Sequence, residues 1–456
     1  MSEFVRRTRI GAPAAAVYRW HTRPGALERL TPPWMNLEVL ERTGGIANGT
    51  RVVMKVPIGP TTVRWVAEHR DCVDGVQFRD VQIEGPFARW EHTHRFEPDG
   101  PSACTVEDRV KYDMPLGPAG QLLGAAFVRN TLEQMFAYRH RTTVSDLSTH
   151  TKYPGPPLHV GITGASGLVG LALAPFLTTG GHRVTRIVRG DQPAREGLAR
   201  WNPVKGTIDA AALEGLDAVV HLGGESVVAE RWSESVKARI LESRTQGTGL
   251  LCRTLARLRQ PPKTLISASA IGYYGDRGAE ILHEDSTPGR GFLADVCRHW
   301  EAATRPAEVA GIRVALLRIG LVLSPAGGAL AAMLTPFRLL AGGRLGSGRQ
   351  FMSWISIDDL LGAILHVLRT PTLRGPVNAV GAHPVINGDF ARILGKVLGR
   401  PALVPMPAAA LRVAMGEMAD EMLLASQRVD PRRLLETGYT FRHVDLESAL
   451  RHVLGR

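Results

Sequence analysis

Lysine is scarce in this chain. Only seven of its 55 basic residues are lysines, at positions 55, 111, 152, 205, 237, 263 and 396. The others are arginines, and no block of five like charges occurs, so the net charge of +12 is spread along the length. Nucleic-acid surfaces cluster their cations; no nucleic-acid partner is expected, and a few arginines are read as reserved for anionic ligands. Cysteine is equally sparse. Cys72, Cys104, Cys252 and Cys297 lie far apart with no CxxC pair. That argues against a zinc site and a disulfide framework, so no metal is predicted, and it fits a reducing cytoplasm. Long apolar runs are missing too. The opening MSEFVRRTRIGAP lacks the apolar core of a signal peptide. Pro336 and Arg338 break the 330–343 stretch, so no membrane span is predicted. No internal repeat is present.

With 456 residues, 44% of them hydrophobic, the chain predicts two or three globular domains. The linker is read at 151–157, inside HTKYPGPPLHV, where prolines and glycine crowd together. Over 1–150, short alternating segments such as RVVMKVPI, VQFRDVQI and CTVEDRVKYDM predict antiparallel strands. Short helices are expected within 13–31. A long helix is expected over 117–147, from the spacing of Leu122, Leu123, Phe127, Leu132, Met135 and Phe136. Over 158–397 the texture changes. LHVGITG, HRVTRIV, DAVVHLG, KTLISAS and RVALLRIG alternate with helical segments, which predicts a doubly wound α/β fold on a parallel sheet. Residues 398–456 are helix-rich and read as a C-terminal cap.

The sharpest motif is GITGASGLVG at 161–170. Gly164, Gly167 and Gly170 end a predicted strand and open a helix. A pyrophosphate needs this arrangement: close backbone approach and the free N–H groups of a helix N-terminus. Ser166 offers a hydroxyl donor, and Leu168 and Val169 complete the expected cofactor contacts. The second strand, HRVTRIVRG, ends in Arg189, with Arg186 three residues earlier and no acid before Asp191. A carboxylate there would select NAD(H); arginine suits a 2′-phosphate. NADP(H) is therefore predicted over NAD(H). In DAVVHLGG, Leu222, Gly223 and Gly224 form a turn at the next strand's carboxyl end, with room for the cofactor's riboses. His221 reads as a packed core histidine.

TGASGLVG, DAVVHLGGE, SASAIGYYG, GFLADVCRHWE, LRIGLVLS and LGSGRQFMSWISIDDL together resemble the extended, atypical short-chain dehydrogenase/reductases. The resemblance is to the nucleoside-diphosphate-sugar-epimerase-like, SulA-type subfamily, over essentially all of 158–456. Residues 1–150 are similar to the SRPBCC (START-like, polyketide cyclase-type) α+β helix-grip domain, through RIGAPAAAVYRWHTRPGALERLTPPW and FAYRHRTTVSDL. The first resemblance implies a Ser–Tyr–Lys proton relay. None of the seven tyrosines has a lysine four residues later. Aligning Glu301 with the family's acid places Leu293 and Cys297 where the tyrosine and lysine would stand.

The remaining acid/base candidates are Ser267 and Ser269 at a strand end, Tyr273 and Tyr274 in the following loop with Arg277 nearby, and Glu225. Arg349 and Ser353 are the expected substrate contacts for a small molecule. Asp358 and Asp359 read as helix-N-terminal acids. The stretch 339–349 reads as a mobile flap, and Glu417, Asp420 and Glu421 as one solvated helix face. In the first domain, Trp20, Trp34, Trp65, Phe78, Phe87, Trp90 and Phe96 are candidates to line a cavity for a hydrophobic ligand; no catalytic constellation is visible there. Two functions follow: an NADP(H)-dependent oxidoreductase or epimerase, or a silent nucleotide-binding regulator coupled to a hydrophobic ligand or protein partner.

Overall fold

The computed structural model describes residues 1–59, 61–115, 117–190 and 196–456, without the side chains of 117–123. Asp191, and the side chains of Leu122 and Leu123, thus lie outside the described residues. The chain forms two compact units. One comprises Met1–Pro154 with Pro175–Gly181 and Gly455; the other comprises Gly155–Ala174, His182–Leu454 and Arg456. Among the described residues no helix is long and apolar enough to cross a membrane.

In the first unit, β1 (Ser2–Ile10) precedes α1 (Ala14–Thr22) and α2 (Ala26–Leu30). Strands β2 (Glu38–Arg42), β3 (Arg51–Ile58), β4 (Thr61–Val73), β5 (Gln77–Glu84), β6 (Arg89–Pro98) and β7 (Cys104–Asp113) follow, then α3 (Gly117–Lys152). The sheet is antiparallel in the order β1-β7-β6-β5-β4-β3-β2. Period-2 alternation decides which side chains face inward: on β6, Trp90, His92, His94 and Phe96 are buried and Arg89 and Arg95 are exposed. Helix α3 packs Leu132, Met135 and Phe136 against Trp90, Val110 and Tyr112. It runs to Lys152, beyond the 147 expected. Within it Asp146 accepts both Nε (2.7 Å) and Nη2 (2.8 Å) of the buried Arg29, joining α2 to α3.

The second unit is built on β8 (His159–Thr163), α4 (Leu168–Thr179), β9 (Arg183–Arg189), β10 (Leu198–Asn202), β11 (Thr207–Ile208), β12 (Ala218–His221), α5 (Glu234–Leu255), β13 (Thr264–Ala270), α6 (Phe292–Ala302), β14 (Arg313–Ile319), α7 (Ile357–Arg369) and β15 (Gly375–Ala379). The strand order is β11-β10-β9-β8-β12-β13-β14-β15, parallel except at the short edge strand β11. The order reverses at β8, so the carboxyl ends of β8 and β12 make the crevice where doubly wound sheets bind ligands. Both strands are buried almost throughout, as a sheet covered on both faces requires. The C-terminal stretch is woven into this unit. Helix α8 (Asn387–Leu398) packs Phe390, Leu394 and Val397 with Leu446, Leu450 and Val453 of α9 (Leu446–Leu454). Arg428–Val429 pairs in parallel with Ile281–Leu282.

Candidate functional site

The glycine loop connects β8 to α4. Gly164 has φ +64°, and a Cβ there would lie 2.7 Å from Leu222 O and 3.0 Å from Gly223 N. A Cβ on Gly170 would overlap Gly164 O and lie 2.7 Å from Ala165 Cα. Gly167 N donates to Gly164 O (2.9 Å), which closes the turn and presents the first turn of α4. Ser166 and Gly167 are exposed. At Gly164 and Gly170 only glycine fits this cradle, which opens on a helix N-terminus and fits a pyrophosphate.

The neighbouring turn is fixed by a buried relay. Thr163 Oγ1 accepts from Leu222 N (3.1 Å) and Gly223 N (3.2 Å). Its hydroxyl therefore donates to His221 Nδ1 (2.7 Å), and His221 Nε2 donates to Thr248 Oγ1 (2.9 Å). Burial, then Arg244, push the His221 pKa down to about 4, so the ring is neutral in this role. It holds the crevice as a core histidine. Gly223 and Gly224 leave the space beside Trp201 and the Arg244 guanidinium. Arg186 and Arg189 are exposed on β9, and among the described residues neither side chain has an ion pair or hydrogen bond.

The end of β13 differs from what the loop sequence suggests. Ser267 is fully buried, and among the described residues its one hydroxyl contact is a 3.4 Å approach to Ala268 O. Ser269 donates to Glu301 Oε1 (2.7 Å). Glu301 in turn holds Arg318 through Nε (2.9 Å) and Nη2 (3.0 Å), a bidentate pair that is almost fully buried. Arg318 Nη1 donates to Tyr274 Oη (3.0 Å), and Tyr274 donates to Asn378 Oδ1 (2.7 Å). Burial pushes the Tyr274 phenol up to about 12. That ring is buried and held at its hydroxyl by Arg318 and Asn378. Tyr273 is half-buried, its hydroxyl has no protein partner among the described residues, and the Arg318 guanidinium lies 3.5 Å from its ring centroid. Helix α6 faces this turn with Leu293 and Cys297: a Cβ on Gly272 would lie 3.3 Å from Leu293 Cβ and 3.9 Å from Cys297 Sγ.

Several other candidates have structural employment. Glu225 pairs with Arg239 (3.1 Å), which also binds Glu230. Arg277 is bound to Glu280 and Thr287 O. Ser353 donates to Gln427 O (2.7 Å) and accepts from Val429 N (2.9 Å), so it pins the returning segment. Arg349 is exposed with an unpaired guanidinium among the described residues. Asp358 and Asp359 do sit at the start of α7. Ser356 caps that helix, and Asp359 accepts from Arg442 N (2.6 Å), tying down the C-terminal segment. The 339–349 stretch is not a free flap. Val404 N donates to Gly342 O (3.1 Å), Met406 N to Arg344 O (2.9 Å) and Gly346 N to Met406 O (2.8 Å). Nor is Glu421 a solvated acid: its carboxylate accepts from Phe292 N (2.6 Å) and Leu293 N (2.7 Å), capping α6.

The first unit encloses a cavity of about 760 Å³. Trp65, Phe78, Phe87 and Trp90 line it, whereas Trp20 and Phe96 pack elsewhere in the core and the half-buried Trp34 stacks edge-on against Tyr138. A polar group also lines it that the sequence reading missed: His69, Asp80, His92 and His94.

Residues 160–380 match the NAD dependent epimerase/dehydratase family, residues 10–137 match polyketide cyclase / dehydrase and lipid transport, and 406–453 match a domain of unknown function. An epimerase family protein of Mycobacterium bovis is 44% identical over 297 residues, 65% of this chain and 98% of the relative. The chain belongs to this epimerase family. The human member, SDR39U1, is 36% identical over 301 residues, 65% of this chain and all of the relative. Its crystal structure with NADPH superposes with a TM-score of 0.60 and 35% identity, covering 65% of this chain and 99% of that one. A nucleoside-diphosphate sugar epimerase from Corynebacterium glutamicum matches across both units, with TM-score 0.81, 36% identity and coverage of 99% and 90%.

The cation nearest Tyr273 and Tyr274 is Arg318, from the adjacent strand, 44 residues after Tyr274. No local spacing rule could have exposed it.

Proposed function

We propose that the second unit binds NADP(H) and uses it as an oxidoreductase or epimerase of small molecules. The glycine cradle at 164–170 carries this reading, because three backbone positions there exclude or crowd a side chain beside an open helix N-terminus. Among the described residues Arg186 and Arg189 have no side-chain partner, and they stand at the end of β9, where a 2′-phosphate needs cations. A relative of known structure holds NADPH. Gly164, Ser166, Gly167, Leu168, Val169 and Gly170 would hold the pyrophosphate, and Leu222, Gly223 and Gly224 would leave room for the riboses. When bound, the nicotinamide would supply hydride exchange. Tyr273 is the one phenol of the pair with an uncommitted hydroxyl, and Arg318 fixes its ring. Arg349 is suited to an anionic substrate group. The first unit would take a hydrophobic ligand.

A second reading, a non-catalytic NADP(H)-dependent regulator, is favoured by one observation: Ser269, Glu301, Arg318 and Tyr274 are locked to one another. Turnover separates the two. NADPH oxidation and NADP reduction would be followed over a panel of carbonyls, alcohols and nucleoside-diphosphate sugars. The enzyme reading expects turnover that Tyr273→Phe lowers by about 100-fold or more, within the usual range for a lost acid/base group, while Tyr274→Phe changes kcat little. Absence of turnover with intact NADPH binding supports the regulator.

A further inference from the structure

The polar cluster in the first unit is assembled by strand register. Asp80 of β5 lies opposite His69 of β4 and His92 of β6, and His94 lies opposite Asp108 of β7. We propose that Asp80, His92 and His94 bind a divalent transition-metal ion at the wall of the N-terminal cavity. This departs from the expectation, drawn from the cysteines, that the chain has no metal site.

The donor geometry is the first support. His94 Nε2 lies 3.3 Å and His92 Nδ1 3.7 Å from Asp80 Oδ2. The three ligand atoms all fall within 4.8 Å of one another. Metal–ligand bonds of 2.0–2.2 Å in a tetrahedral site place neighbouring donors about 3.4 Å apart. The outer partners are the second support. Asp108 Oδ1 lies 2.7 Å from His92 Nε2 and 2.7 Å from His94 Nδ1, the ring nitrogens turned away from the proposed ion. A carboxylate hydrogen-bonded to the far nitrogen of a metal-bound imidazole, as Asp108 is to His92, fixes the ring and raises its basicity, while at His94 Nδ1 the same carboxylate is a close charge contact without hydrogen-bond geometry. Asp108 is itself held by His140 Nε2 (2.6 Å), whose Nδ1 meets Thr8 Oγ1 (2.7 Å).

Charge is compatible with an ion: two carboxylates, one fully buried, stand among imidazoles, with the Arg139 guanidinium on the same cavity wall supplying part of the counter-charge and a bound cation adding to it. His69 Nε2, 3.3 Å from Asp80 Oδ1, stands by as a further donor from β4, and its Nδ1 is buried without a hydrogen-bond partner among the described residues. Imidazole and carboxylate donors select zinc, cobalt, nickel, iron or copper over calcium and magnesium. His69, Asp80, His92 and His94 all line the cavity, so the remaining coordination position opens into the apolar space. The ion would there grip an oxygen of a hydrophobic guest.

The untagged full-length protein, stripped with a chelator, would be titrated with zinc chloride and with cobalt(II) chloride. Metal content would be measured after gel filtration. One zinc per chain is expected, and cobalt should give visible d–d bands that zinc displaces. Asp80→Asn and His94→Gln should bind at least tenfold more weakly, and Asp108→Asn roughly 10- to 100-fold more weakly. Circular dichroism would verify their folding. If a variant fails to fold, cobalt-induced shifts of the His92 and His94 ring protons in the wild-type protein decide the matter. No stoichiometric uptake, uptake unaffected in folded variants, or unshifted His92 and His94 protons would each overturn the proposal in favour of a metal-free hydrogen-bond network.

Discussion

Gly170→Ala should reduce NADPH affinity at least 100-fold, equivalent to about 2.7 kcal/mol, and should also lower stability. The added methyl would overlap Gly164 O and press on Ala165 Cα at 2.7 Å. Both are backbone, so neither can swing aside as a long side chain can. Overpacking of this kind costs about 1–3 kcal/mol, and the loop can relieve it only by abandoning the shape that receives a phosphate. Gly167→Ala makes the contrast. Its Cβ meets only Gly164 O, at 3.3 Å, and its φ is not positive. It should fold with nearly wild-type stability and lose affinity only by crowding the ligand. Fluorescence titration with NADPH and thermal unfolding, run on both variants, check the pair. Equal affinities for Gly170→Ala and wild type would contradict the cradle.

The second large effect is expected at Arg318. Arg318→Met leaves the Glu301 carboxylate buried without its bidentate partner and takes a donor from Tyr274. Breaking a buried pair from one side costs about 3–5 kcal/mol. The second unit's melting transition should fall by about 10 °C. Arg318→Met combined with Glu301→Leu removes both charges, and most of that loss should return, because desolvating an ion pair takes back much of its attraction. Differential scanning calorimetry of the single and double variants tests this; a double variant as unstable as the single one would mean that the pair's charge is not what holds the region.

These two sites differ in how far the sequence exposes them. The glycine loop is largely local: Gly164, Gly167 and Gly170 sit within seven residues, one turn and one helix start set their backbone, and only the wall that Leu222 and Gly223 raise against Gly164 comes from farther along the chain. The place of Arg186 and Arg189 on β9, with Arg189 at its end, was legible for the same reason, since strand ends are visible in the pattern. The region after β13 was not. Tyr274 finds Asn378 104 residues away, and Ser353 finds Gln427 74 residues away. A strand-end serine reads the same whether it faces a substrate or pins a returning chain. Glu421 looked like part of a solvated face because nothing in its own helix shows that it reaches the α6 N-terminus. The first unit gives the sharpest case. His92 and His94, two apart on a strand, could have been read as sharing a face. Asp80, Asp108 and His69 join them only through the hairpin register, which the sequence does not state.

The central claim is that the second unit receives a phosphorylated pyridine dinucleotide. Isothermal titration of the purified full-length chain with NADPH and with NADH, repeated on an Arg186→Ala/Arg189→Ala variant, tests it most directly. The account predicts one NADPH per chain, bound at least tenfold more tightly than NADH, with that preference lost in the variant. No binding of either nucleotide to the folded chain would contradict it.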